Sequence, residues 1–140
     1  MSLISTANNK FKYDQEYFDI KLEDHAQNSH KLLSDKSGWN YNPLKKGQFG
    51  FDNMVMSVGT AFENKHTKLE EIADDVHKGW RENYIFWRDN EPWNNGYFKP
   101  YQALGDERRN ACSVTEYKSL SQEEKDKDLV IAEYVLKFFN

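Results

Sequence analysis

"TKLEEIADDVHKGWRENYIFWR" (Thr67–Arg88) is the stretch whose reading decides the fold. Leu69, Ile72, Ala73, Val76, Trp80, Tyr84 and Trp87 recur every three or four residues, the rhythm that gathers side chains on one face of an α-helix. Thr67, with Glu70 three residues on, has the form of an N-terminal capping box. Asp74, Asp75, Lys78, Glu82 and Asn83 are expected on the side facing water. So wide an aromatic stripe needs packing partners, and the flanking sequence offers them.

Downstream, Ser121 with Glu124 forms a second capping box ahead of a helix whose stripe is Leu129, Ala132, Leu136 and Phe139. Ile131, Val135 and Phe138 widen that face, so the helix is expected to be buried on two sides. Upstream, a helical pattern starts at Tyr13 and aligns Phe18, Leu22, Ala26, Ser29 and Leu33; Gly38 is a natural C-terminal cap and Pro43 stops re-entry. "GQFGFDNMVMSVG" (Gly47–Gly59) alternates and reads as a strand, with a short buried helix as the other reading. "DNEPWNNGYFKPYQALGD" (Asp89–Asp106) reads as an ordered loop with a short strand at Tyr97–Lys99. The expected fold class is α+β: a compact, mostly helical single domain with two or three main helices and a few short strands. Residues 1–12 are read as a frayed N-terminus, 13–64 as a helix-plus-strand elaboration and 65–140 as the main unit.

Composition narrows the function. A chain of 140 residues suits one domain, and a domain of that size buries roughly 70% of its unfolded surface. With 23 acidic against 19 basic residues and a net charge of -4, it lacks the basic footprint of a duplex nucleic-acid binder. A single cysteine, Cys112, excludes an intrachain disulfide and any multi-cysteine zinc module. No run approaches the ~20 apolar residues of a membrane span, and "MSLISTANNKFKYD" holds no secretory apolar core. A cytoplasmic protein without membrane partners is expected.

Catalytic patterns are missing. His25, His30, His66 and His77 include no pair at the spacing that places two imidazoles on one metal, and no Gly-rich phosphate loop or nucleophile elbow occurs. Asp74 and His77 are the one carboxylate–imidazole pair sharing a helix face in "DDVH", and a structural contact explains them more simply than a ligand set. Cys112 reads as a small buried hydrophobe. No enzyme, catalytic residue, metal site or cofactor is expected. Recognition chemistry is better represented: Trp80, Trp87, Trp93, Tyr84, Tyr97 and Tyr117 lie around the chain's four arginines, Arg81, Arg88, Arg108 and Arg109. Aromatic faces stack on bases and guanidinium groups grip phosphate. On residue chemistry alone, a simpler reading makes Trp80 and Trp87 core and the arginines solvated helix ends.

Two motifs then carry a resemblance. "IADDVHKGW" (Ile72–Trp80) resembles the Ile/Leu-Ala-x-x-x-His-x-x-Trp opening of ryanodine-receptor-type (RyR) repeats, and "DERRNACSVTEYKSLSQEEKDKD" (Asp106–Asp128) is similar to their second half. Asp106, Arg108, Arg109, Asn110, Val114, Tyr117, Leu120, Lys125 and Asp128 fall on that pattern, over about Lys68 to Phe139. Ala111 and Glu116 stand where the family has prolines, and "GWNY" at Gly38–Tyr41 echoes the first half, as though 13–64 were a degenerate companion repeat. The resemblance implies a prokaryotic or phage-like member that binds rather than catalyses. It points to a nucleotide or nucleotide-derived signal, with signalling or defence as the setting. In that case Trp80 would stack on the base, Asn110 would hydrogen-bond it, and Arg109 or Arg88 would meet phosphate, with Trp87 and Tyr117 alongside. A chain of this length without an effector domain is expected to sequester such a ligand or report it through a partner. The alternative is an interaction or assembly module, a homo-oligomer or a partner-binding protein, using "EPWNNGYF" (Glu91–Phe98) as its contact surface.

Overall fold

The run Gly47–Gly59 is helical, and that correction to the strand reading sets the architecture. The computed structural model describes residues 15–89 and 105–139. In chain order these form β1 (Glu16–Tyr17), β2 (Ile20–Lys21), α1 (Leu22–Ser37), α2 (Phe49–Asn64), α3 (Leu69–Asp89), α4 (Gly105–Ser113), a 3-10 turn (Tyr117–Ser119) and α5 (Gln122–Leu136). Phe51, Val55, Met56, Val58, Ala61 and Phe62 are all nearly inaccessible, so α2 is buried on every side. A segment apolar all round has no informative period, and a central helix satisfies it as well as a strand does. Its polar residues turn back on the helix itself: Ser57 Oγ donates to the Asn53 carbonyl (3.0 Å) and Thr60 Oγ1 to that of Met56 (2.7 Å).

The N-terminal helix begins at Leu22 rather than Tyr13. Before it, Glu16 pairs with Lys21 and Tyr17 with Ile20 in a minimal antiparallel hairpin, turning through Phe18 (φ 54°) and Asp19 (φ 64°). Two successive left-handed residues match the twist such hairpins favour. Phe18 therefore leaves the α1 face and packs on Phe138 and Phe139, with ring centroids 5.5 and 6.3 Å away. Among the described residues, one two-stranded hairpin and four long helices replace the expected few strands and two or three helices. The strand expected at Tyr97–Lys99 lies outside the described residues. Gly38 does end α1 in the left-handed conformation (φ 72°), and Ser121 Oγ accepts from the Glu124 N–H (3.3 Å) to cap α5.

Helix α3 is the hub, packing chiefly on α2 and α5. Its apolar face matches the periodicity, but Asp75 and Asn83, expected in water, are buried as well, because α3 has neighbours on more than one side. Each found partners. Asp75 accepts from Asn64 Nδ2 (2.8 Å) and His66 Nδ1 (2.7 Å), which ties the end of α2 to α3, and Asn83 Nδ2 donates to Asp52 (2.5 Å). Glu70 accepts from the Tyr117 hydroxyl at 2.7 Å, so that carboxylate serves a long-range contact. One core runs from Leu22 through α2 and α3 to Val135, and residues 13–64 share it with 65–140. Across it His25 Nε2 donates to the Tyr17 carbonyl (3.1 Å), while Nδ1 accepts from the Tyr134 hydroxyl (2.7 Å). Burial pushes the His25 pKa down and keeps that ring neutral. No helix among the described residues is long and apolar enough to cross a membrane.

Where α3 crosses α2, Gly79 leaves no space for a side chain. A β-carbon there would stand 2.5 Å from the Met56 carbonyl oxygen, 2.8 Å from Ser57 Cα and 2.9 Å from Thr60 Oγ1. Alanine gains up to ~1 kcal/mol in helix propensity, but overpacking against backbone costs about 1–3 kcal/mol or more. Gly79→Ala is expected to lower the urea midpoint, and an unchanged or raised midpoint would show that the crossing tolerates separation.

Candidate functional site

Helices α1, α2, α3, α4 and α5 leave a cavity of about 240 Å³ between them. Leu33, Val76 and Ile131 give it an apolar floor, and Trp39 and Leu44, from the loop after α1, close one side. Trp80 from α3 lines it too, partly buried and stacked parallel between His77 (5.9 Å, 9°) and Tyr84 (5.1 Å, 3°). These are neighbours one helical turn apart, so regular α3 geometry suffices to build the aromatic column.

The polar end comes from α3, α4 and α5. Glu124 holds Arg108 Nη1 at 2.7 and 2.8 Å and Lys127 Nζ at 3.3 and 3.5 Å. Burial works to raise the Glu124 carboxyl, but the Arg108 bond and charge outweigh it and hold Glu124 below its ordinary value. One turn on, Asp128 is 9% exposed and lines the same space. Among the described residues its carboxyl makes no hydrogen bond. His77 Nδ1 stands 3.6 Å from its Oδ2, outside hydrogen-bond range. His77 Nε2 donates to the Thr115 carbonyl (2.7 Å), which leaves a lone pair on Nδ1. Burial pushes His77 down. Burial, joined by the Glu124 charge, pushes Asp128 well up, so both partners are driven toward neutrality. The Cys112 thiol lines the cavity, raised first by burial and then by the Glu124 charge, the reverse of what a thiolate nucleophile needs.

Of the six residues expected to bind the ligand, Trp80, Asn110, Arg109, Arg88, Trp87 and Tyr117, only Trp80 lines this cavity. Asn110 Oδ1 accepts from the Tyr84 hydroxyl (2.9 Å) and Arg88 Nη1 (3.0 Å), knitting α4 to α3. Arg88 also pairs with Asp89 (2.8 Å). Arg109 lies over the Phe49 ring (5.6 Å). Trp87 is buried, its Nε1 donating to Asp52 (2.8 Å) and its ring meeting Phe49 edge-on (5.8 Å). Tyr117 lines a separate open groove with Glu70, Asp74 and Arg81, and burial with the Glu70 bond drives its hydroxyl pKa far up. The Asp74–His77 pairing does not form: Asp74 takes Lys78 (3.0 Å), while His77 faces Thr115 and Asp128. Trp93 lies outside the described residues.

Sequence reasoning missed Asp128, Glu124, Arg108 and Trp39 as cavity residues. Asp128 left a readable signal, since it precedes Ile131, Ala132 and Val135 on the buried face of α5. An acid on an apolar stripe is costly unless it is paired or used. The folded state holds the Asp128 proton more tightly than the unfolded chain does. Its contribution therefore favours the fold at and below the ordinary aspartate value, ~3.9, and is lost as pH rises through the elevated folded value. Asp128→Asn removes that loss, so urea unfolding should show the variant gaining on the parent as pH rises; a pH-independent difference would contradict the assignment.

The chain matches no protein-family model, no curated protein and no solved structure.

Proposed function

We propose that this protein is a small non-catalytic binding module that takes a nucleotide or nucleotide-derived molecule in the Trp80 cavity. The observation that carries the reading is one aromatic wall and one buried carboxyl without a hydrogen bond, Trp80 and Asp128, lining the same partly open space. A small-molecule site combines an apolar lining with a few convergent polar groups in this way. At about 240 Å³ the cavity is smaller than the ~300–1,000 Å³ that encloses a drug-sized ligand. It suits a base-sized ring, with sugar and phosphate left outside. The resemblance to RyR repeats favours the same ligand class and the same tryptophan, while the Asn110 and Arg88 contacts it implied are engaged elsewhere. The raised Cys112 thiol favours binding over nucleophilic chemistry.

A second reading, a protein-interaction module, draws on Trp39 and Tyr41, which are 49% and 38% exposed in one short loop. Exposed aromatics of this kind anchor interfaces. Thermal unfolding against mono-, di- and cyclic nucleotides separates the two. A ligand at a hundred-fold excess over its Kd adds ~2.7 kcal/mol, which at this size raises Tm by several degrees. The shift should vanish in Trp80→Ala and persist in Asn110→Ala, which lies off the cavity. A flat panel would favour the interaction reading.

A further inference from the structure

The cavity has one wall built differently from the rest. Trp39 and Leu44 come from the irregular stretch 38–48 between α1 and α2. Among the described residues, every other member of the lining except Leu120 sits on one of the helices α1 to α5. Leu44 alone in this stretch is partly buried, and its Cδ2 stands 3.5 Å from where a β-carbon on Gly50 of α2 would sit. One face of α1 clasps the stretch, since Glu23, Gln27, His30 and Lys31 follow the helical repeat. Gln27 pairs with the Leu44 backbone in both directions, its Nε2 donating to the carbonyl (2.8 Å) and its Oε1 accepting from the N–H (2.9 Å). His30 Nε2 donates to the Asn42 carbonyl (2.8 Å), Lys31 lies over the Tyr41 ring (5.9 Å) and Lys46 pairs with Glu23 (2.8 Å). Gly38 (φ 72°) and Gly47 (φ 85°) bound the stretch, and a β-carbon on either would meet nothing within 4 Å. Both positions therefore use glycine for its backbone freedom, not for want of room, and such freedom suits a hinge.

We propose that residues 38–48 form a strap that opens and closes the cavity, turning about Gly38 and Gly47, with Gln27 as its latch and Leu44 as its plug. Opening exchanges the Gln27 bonds for bonds to water and withdraws Leu44 and Trp39 from the lining, while the helices stay in place. Bonds between a side chain and a loop backbone contribute little net free energy, because water replaces them. Moving a helical wall would instead disrupt the core that joins α1, α2, α3 and α5. The strap is thus the part of the lining that opens most cheaply, and binding loops are drawn from that end of the stability range. This device governs entry whatever molecule the cavity takes, so it does not depend on the nucleotide reading.

Cys112 lines the cavity and reports on the strap from inside. The test follows its alkylation by mass in the full chain under native conditions, with two reagents. Iodoacetamide is small enough to pass an open strap; a branched polyethylene-glycol maleimide is not. Gln27→Ala should raise the iodoacetamide rate by about tenfold, the size expected from two lost hydrogen bonds, and leave the maleimide rate at that of the parent. Leu44→Ala, which keeps the backbone bonds and removes the plug, should raise the iodoacetamide rate in the same selective way. An iodoacetamide rate unchanged in Gln27→Ala would overturn the latch, and with it the strap. A rise of both reagents by the same factor would trace the effect to loosening of the whole fold and would overturn the proposal equally.

Discussion

The crossing of α2 and α3 at Gly79 brings two helical backbones into contact, with the Met56 carbonyl and Ser57 Cα standing where a side chain would otherwise project. Close approach there lets α3 reach the all-buried α2 on one side and still present a second face to α5. Trp80 follows Gly79 directly, and Asn53 Nδ2 donates to its carbonyl from α2 (3.3 Å). The aromatic column along α3 is thus referenced to the tightest point in the core, and the cavity wall takes its position from that crossing.

Buried polar groups divide into two kinds around this frame. Asp52 collects Asn83 and Trp87, Asp75 collects Asn64 and His66, and His25 joins Tyr17 to Tyr134; each network ties separate elements together through these bonds. Such networks rigidify a core without inviting anything in. Asp128 belongs to the other kind: a carboxyl of similar burial, without a hydrogen bond and next to open volume. The contrast within one small protein makes the Asp128 environment informative, since the fold elsewhere supplies partners for its buried acids.

Helices with one clean apolar face were legible in the sequence. The α3 stripe, the Ser121 cap of α5 and the Gly38 cap of α1 all rest on local rules of period and end chemistry, and they formed as read. What failed depends on surroundings. Alternation could not separate strand from helix in α2, because all its sides are covered. Phe18 matched the α1 period and yet belongs to a hairpin that packs on the C-terminal phenylalanines. Within the candidate site, Trp80 was visible as an aromatic on an amphipathic helix. Its companions Asp128, Glu124 and Arg108 come from α4 and α5, and only tertiary packing brings them to it.

One consequence attaches to Cys112. A chain with a single cysteine has a single route to covalent cross-linking between copies, through that thiol. Here the residue is 8% exposed and lines the cavity, and its thiol is kept protonated by burial and the Glu124 charge. Thiol–disulfide exchange needs an accessible thiolate, so the folded protein is insulated from oxidative dimerisation by the same helix packing that shapes its cavity. Alkylation of Cys112 by a reagent too bulky to enter the cavity would then wait for α4 to lift from its neighbours, which makes the native chain carry its own clock for opening.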